Sequence, residues 1–276
     1  MKKLALPIAL LLLGACAGAT PAPATPTNAT ATAAHAVKAE AVAYADGDAQ
    51  LEGWLAVPSD VGPEKRPVIV VFHDWMGLGE GTKKRAEQLA ALGYVAFAAD
   101  VYGKGVRPHD PGEAGKLAGK YKDDRALMRS RTNAALKVAT ASPLADPSKA
   151  VAMGYCFGGT AALELGRSGA PVAGIVTFHG GLATPHPEEA RNIKGRVLAL
   201  HGADDPFVKN DEVLAFEDEM RQAHVDWQLK AYGGAVHAFT VKEAGNDPSK
   251  GAAYDAKADA RSWQDLRAFL DELFPR

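Results

Sequence analysis

The chain of 276 residues contains only two cysteines, Cys16 and Cys156. A disulfide-stapled scaffold is therefore excluded. Basic charge is not in excess, since 31 Lys and Arg stand against 33 Asp and Glu for a net charge of −2. Nucleic acid is accordingly not an expected partner. The chain also lacks an apolar run long enough to span a bilayer. Its most apolar stretch, Leu4 to Leu13, is half the length of about 20 residues that a spanning helix needs. There is no Walker loop and no Gly-x-Gly-x-x-Gly ahead of a helix, so nucleotide binding is not indicated. His35, His109, His186 and His224 show no metal-ligand spacing with one another or with a cysteine, so neither metal nor cofactor is expected.

What is present is a hydrophobic fraction of 47% with low net charge, which allows a sizeable core and argues against disorder. Lys2 and Lys3, then the short apolar run, then Leu13-Gly14-Ala15-Cys16 resemble a bacterial lipoprotein signal. The resemblance implies removal of residues 1–15, acylation of Cys16 and attachment to the cell envelope through an N-terminal lipid. Ala17 after the cysteine favours the outer membrane by the same resemblance. Residues 16–36, rich in Ala, Thr and Pro, read as a tether, and 37–276 as one domain.

In that domain strand and helix patterns alternate. Strands are expected at Val42–Tyr44, Leu51–Val57, Pro67–His73, Tyr94–Ala99, Ala150–Gly154, Val172–Phe178, Arg196–His201 and Val225–Ala231. Helices are expected at Glu80–Leu92, over Gly112–Ser142 with a break near Lys122, and at Thr160–Arg167, Asp211–Ala223 and Ala256–Leu273. This order predicts an α/β fold with a mostly parallel sheet covered by helices on both faces.

Gly154-Tyr155-Cys156-Phe157-Gly158-Gly159 follows a strand and opens a helix. It has the G-x-nucleophile-x-G form of a nucleophile elbow, with Cys in place of Ser. Small residues two before and two after the turn let strand and helix cross closely. Further along, the strand Arg196–His201 leads into Gly202-Ala203-Asp204-Asp205-Pro206-Phe207-Val208. A later strand leads into a loop with His237-Ala-Phe239. The order of nucleophile, acid and base suits Cys156, Asp205 and His237, with Asp204 the competing acid. His179 reads as a structural hydrogen-bonding residue and His201 as a strand cap. Trp75, Phe157 and Phe207 are candidates to line a pocket.

These three segments together resemble the dienelactone hydrolase family over roughly residues 40 to 273. The resemblance implies an α/β-hydrolase fold, hydrolysis of a carboxylic ester or lactone, and a Cys156–His237–Asp205 triad without cofactor. It places the oxyanion hole on the backbone N–H groups of Phe157 and Trp75. It also puts Asp74 where the family has a glutamate that holds the resting thiol, and Lys104 at one of two substrate-binding arginine positions. The other such position is Val241. Lys does not reproduce the bidentate guanidinium fork, which argues against dienelactone itself as the natural substrate. Arg125, Arg129 and Arg131 are read as a solvated helix face. Two other readings stay open from sequence: a non-catalytic envelope-binding module on the same fold, and redox chemistry at Cys156, which lacks a resolving partner.

Overall fold

The computed structural model describes residues 34–275. The signal segment and the acylation site expected at Cys16 lie outside these residues. Among the described residues, no helix is long and apolar enough to cross a membrane.

Eight strands form one sheet in the order β1-β2-β4-β3-β5-β6-β7-β8. β1 (Val37–Asp46) and β2 (Ala49–Pro58) form an antiparallel hairpin closed by Gly47 and Asp48. Gly47 has φ 59°, a value that costs a glycine nothing. β2 then pairs antiparallel with β4 (Val95–Ala99). Every remaining pairing, through β3 (Arg66–Phe72), β5 (Ala145–Tyr155), β6 (Gly174–Phe178), β7 (Arg196–Gly202) and β8 (Trp227–Tyr232), is parallel. Parallel strands need helical crossovers, and the helices α1 (Glu80–Ala91), α2 (Pro111–Asp123), α3 (Arg125–Thr140), α4 (Phe157–Arg167), α5 (Asn210–Gln222) and α6 (Ala256–Leu273) supply them or flank them.

The central strands are apolar on both faces because both are covered. Val68, Val70 and Phe72 of β3 face a core built with α3, α4 and α5. Ile69 and Val71, one residue out of phase, face a second core built with α1 and α6. This alternation follows from the two-residue period of a strand.

Differences from the sequence-based expectations have local causes. The long helical stretch breaks at Asp124, whose φ of −112° and ψ of 83° leave the helical region, and whose side chain accepts from the Leu127 N–H to cap the next helix. α4 begins at Phe157, three residues earlier than the pattern suggested, because the two glycines sit inside its first turn. β5 starts at Ala145, with a register shift against β3 between Arg66 and Val68. His35 and Ala36, assigned by composition to the tether, are bonded to the domain. The His35 N–H donates to the Ala91 carbonyl and the Ser59 N–H to the Ala36 carbonyl.

The reading of Arg125, Arg129 and Arg131 as a solvated face is overturned. Arg129 donates to the fully buried Glu164 and also pairs with Glu189, while Arg131 pairs with Asp46. Arg125 lies 3.8 Å from Glu164. Glu164 and the buried Arg167 are paired at 3.1 Å, and Arg167 meets Glu219 through two bonds of 2.7 Å. The buried Glu164 and Glu219 recruit Arg129 and Arg167, since an unpaired charge there would be very costly.

Candidate active site

The site forms at the carboxyl edge of the sheet, where β5, β7 and β8 end. At the end of β5 the chain turns into α4 through Cys156, with φ 53° and ψ −117°. A non-glycine residue held there costs about 1–3 kcal/mol, which the surrounding packing must offset. The crossing is possible because Gly154 and Gly158 have no side chains. A Cβ on Gly154 would run into the Gly158 carbonyl, and one on Gly158 into the carbonyls of Phe72 and His73. The Cys156 N–H is held by the Phe178 carbonyl at 3.0 Å.

From this turn the thiol reaches His237, whose Nε2 lies 3.1 Å from Sγ. Nδ1 of His237 lies 2.8 Å from Oδ2 of Asp205. Asp205 is itself fixed, since its Oδ1 accepts from the N–H groups of Phe207 (2.8 Å) and Val208 (3.3 Å). Asp205, not Asp204, is the carboxylate on His237, while the Asp204 backbone N–H donates to the Ala235 carbonyl at 3.0 Å. Three residues far apart in sequence thus form one hydrogen-bonded chain.

The imidazoles around the site differ in charge. Burial opposes the charging of His237, but hydrogen bonds and charge at Asp205 and Cys156 outweigh it and push its pKa up to about 10. His73 is pushed down to about 4, chiefly by burial, and burial also lowers His201 and, strongly, His179. His237 is therefore the imidazole of this set that carries a proton at neutral pH.

His73 closes β3 and holds the following loop. The backbone N–H of Val101 donates to its Nε2 at 3.1 Å, which leaves Nδ1 to donate to the Asp74 carbonyl at 2.6 Å. Tyr102 donates its hydroxyl to the Trp75 carbonyl at 3.2 Å. The Trp75 N–H, on this braced loop, and the Phe157 N–H, at the first position of α4, have no backbone acceptor among the described residues. A first-turn N–H has no partner within its own helix and is available to an anion. The Phe157 ring does not line an open pocket. It is buried against His73, Tyr102 and Tyr121. Trp75, at 38% exposure, and Phe207, at 61%, are accessible.

Three residues singled out by the sequence have contacts other than those expected. Asp74 Oδ1 accepts from the Met76 N–H at 2.8 Å, which makes it a turn residue with no hydrogen bond to Sγ. Burial raises its pKa, and the nearby Glu243 charge adds to this. Lys104 forms an exposed ion pair with Glu52 at 2.8 Å, a contact worth little in water. His201 caps nothing, since it lies inside β7 and its buried Nδ1 is without a partner. Among the described residues no cluster of His, Cys, Asp or Glu is arranged to hold a metal ion.

A mostly parallel sheet with a strained nucleophile elbow at its carboxyl edge defines an α/β-hydrolase. The profile of the Dienelactone hydrolase family matches residues 51–274, and the chain belongs to that family. It is a hydrolase of the class that acts on lactones or esters. A protein of Aquifex aeolicus (strain VF5) named "Putative carboxymethylenebutenolidase" is 30% identical over 227 residues, covering 81% of this chain and 94% of its own. Among solved structures, m3DLH is 42% identical with a TM-score of 0.83, covering 86% of this chain and 99% of its own. A dienelactone hydrolase-like promiscuous phosphotriesterase from metagenomic libraries is 43% identical, with a TM-score of 0.82 and the same coverage.

Proposed function

We propose that the protein hydrolyses carboxylic esters or lactones through Cys156, His237 and Asp205. The observation that carries this reading is the unbroken hydrogen-bonded chain from Asp205 through His237 to a thiol displayed on a left-handed turn. Cys156 Sγ, as thiolate, attacks the carbonyl carbon, and the electron pair moves to the carbonyl oxygen. The N–H groups of Phe157 and Trp75 stabilise that oxyanion, each worth on the order of 10²–10³ in rate. Collapse breaks the ester C–O bond, and His237 delivers its proton to the departing alkoxide, leaving a thioester on Cys156.

Deacylation needs His237 as a base. In the thioester the sulfur no longer carries charge, so the two causes that Cys156 contributes to the raised pKa disappear. Burial then pulls the imidazole down, and it can accept a proton from the attacking water. The second tetrahedral intermediate expels the thiolate and releases the acid. Asp205 keeps the imidazole aligned throughout. Asp74 contributes through its field on His237 and by bracing the loop that carries Trp75.

With Lys104 a point charge without the bidentate fork of a guanidinium and Val241 apolar, an uncharged ester or lactone suits the site better than a substrate carrying a carboxylate. The likeness to the metagenomic phosphotriesterase favours a second substrate class, phosphotriesters, with the same thiolate attacking phosphorus. The N-terminal resemblance supports an envelope location through a lipid on Cys16, with the protein facing the periplasm or the outer membrane. A Cys16→Ser variant that still partitions with membranes would remove that element.

The test is a screen of activated esters, lactones and a phosphotriester on wild type and Cys156→Ala. Loss of turnover in the variant, with rapid alkylation of the wild-type thiol, is expected. Undiminished activity in Cys156→Ala overturns the reading. No activity in either protein would favour a binding module.

A further inference from the structure

Beside the reacting groups lies a groove of about 500 Å³ between α5 and the segment that follows β6. Phe207 is shared between groove and site. Its ring lines the groove and also meets the His237 imidazole edge-on, with centroids 5.5 Å apart and planes at 88°. Leu182 and Phe216 form buried wall, and Ala183, Pro187 and Ala215 form the accessible flanks. The two walls are clasped by Glu212, whose Oε1 accepts from the N–H groups of Leu182 (2.6 Å) and Ala183 (2.9 Å). The clasp fixes the groove's width and also occupies the Glu212 carboxylate. Of the lining carboxylates, Glu219 is paired with Arg167 and Glu212 is held by two backbone N–H groups, so Asp211 and Lys209 remain as one charge of each sign and the groove has no cationic excess to draw an anionic group.

We infer that this groove binds the straight apolar arm of an uncharged ester, and so sets the substrate class of the site; the inference rests on the esterase reading above. The occupant follows from continuity. Because the Phe207 ring both meets the His237 imidazole and lines the groove, an alkyl arm leaving the reacting carbonyl or its ester oxygen has an exposed aromatic face leading toward Leu182, Ala215 and Phe216. The same groove offers a terminal carboxylate a single cation, Lys209, with Asp211 in the same lining to oppose it. A substrate carboxylate therefore meets no bidentate guanidinium among the residues that line the groove.

The test compares kcat/KM across two series: p-nitrophenyl esters from acetate to octanoate, and acetate esters from methyl to hexyl. Each buried methylene is worth about fourfold, so acetate to butyrate should rise about tenfold or more in the series whose arm enters the groove. Ala215→Trp fills the groove from an exposed helix position and should flatten that rise to about twofold or less. Leu214→Trp, exposed on the same helix but outside the groove, should keep it. The p-nitrophenyl hemisuccinate should fall at least about tenfold below the butyrate. Flat dependence in both wild-type series, an unaltered rise in Ala215→Trp, or a hemisuccinate equal to the butyrate would overturn the assignment. Failure of the esterase reading looks different, since wild type would then turn over no ester of either series.

Discussion

His179 and Thr240 are joined by a 2.8 Å hydrogen bond between Nε2 and Oγ1, and that bond ties the end of β6 to the loop carrying His237. The His179 ring packs edge-on against the His237 imidazole, with centroids 5.3 Å apart, so it forms one wall of the space in which the base can move. His179 is fully buried, and its Nδ1 has no partner. Thr240→Val would leave the other nitrogen unpaired too. The expected result is a loss of about 1–3 kcal/mol in urea unfolding, with kcat down about tenfold and KM little changed. An unaltered kcat would show that His179 packs without positioning.

Much of this arrangement was legible beforehand, for physical reasons that differ by residue. The elbow was readable because only glycine fits at positions 154 and 158, so the constraint is written in residue type. The parallel sheet was readable because strands covered on both faces lose their polar alternation. Asp205 could not be separated from Asp204 by sequence, since two adjacent carboxylates differ only in where the turn aims them. The roles of Asp74 and Lys104 were not readable either. Each depends on a partner, the Met76 N–H and Glu52, that no spacing rule connects to a thiol or a substrate.

Asp205→Asn separates orientation from charge. The carboxamide can keep the bonds from the Phe207 and Val208 N–H groups but presents an NH₂ or a neutral oxygen to Nδ1 of His237. An NH₂ donor there forces the wrong tautomer, so kcat should fall on the order of 10³–10⁴. Folding should survive, because the turn contacts remain. Steady-state kinetics alongside a circular-dichroism melt would check this, and activity within tenfold of wild type would remove Asp205 from the proposed triad.

The pH profile follows from the raised pKa of His237. Because Asp205 and Cys156 hold the imidazolium to about 10, the acid that protonates the leaving alkoxide persists through the neutral and mildly alkaline range. The acylation rate should fall only as pH rises through about 10, where an unperturbed imidazole would have lost its proton near 6.5. Rapid-mixing measurement of the first turnover with a poor leaving group would isolate this limb. A fall centred near pH 7 would mean that the Asp205–His237–Cys156 chain does not hold the proton.

Arg167 and Glu219 offer the clearest stability prediction. Both are buried, and four of the five guanidinium N–H donors are engaged: Nε and Nη2 go to Glu219, Nη1 to Glu164, and Nη2 also to the Leu182 carbonyl. Burial raises the pKa of Glu219, while Arg167 pulls against it. Glu219→Gln would leave a buried cation short of a countercharge and should cost about 3–5 kcal/mol. Arg167→Met would strand two carboxylates, Glu219 and Glu164, though Arg125 and Arg129 remain beside the latter. The double variant Arg167→Met, Glu219→Leu removes both partners and should recover part of the loss, because replacing a buried pair with apolar side chains is often neutral. Since the Arg167–Leu182 bond also anchors the segment that walls the groove, Arg167→Met should weaken the preference for longer ester arms. Urea titration of wild type and the three variants, with the acetate-to-butyrate ratio measured on each, would check both effects. Equal unfolding free energies would show that the pair adds nothing to stability.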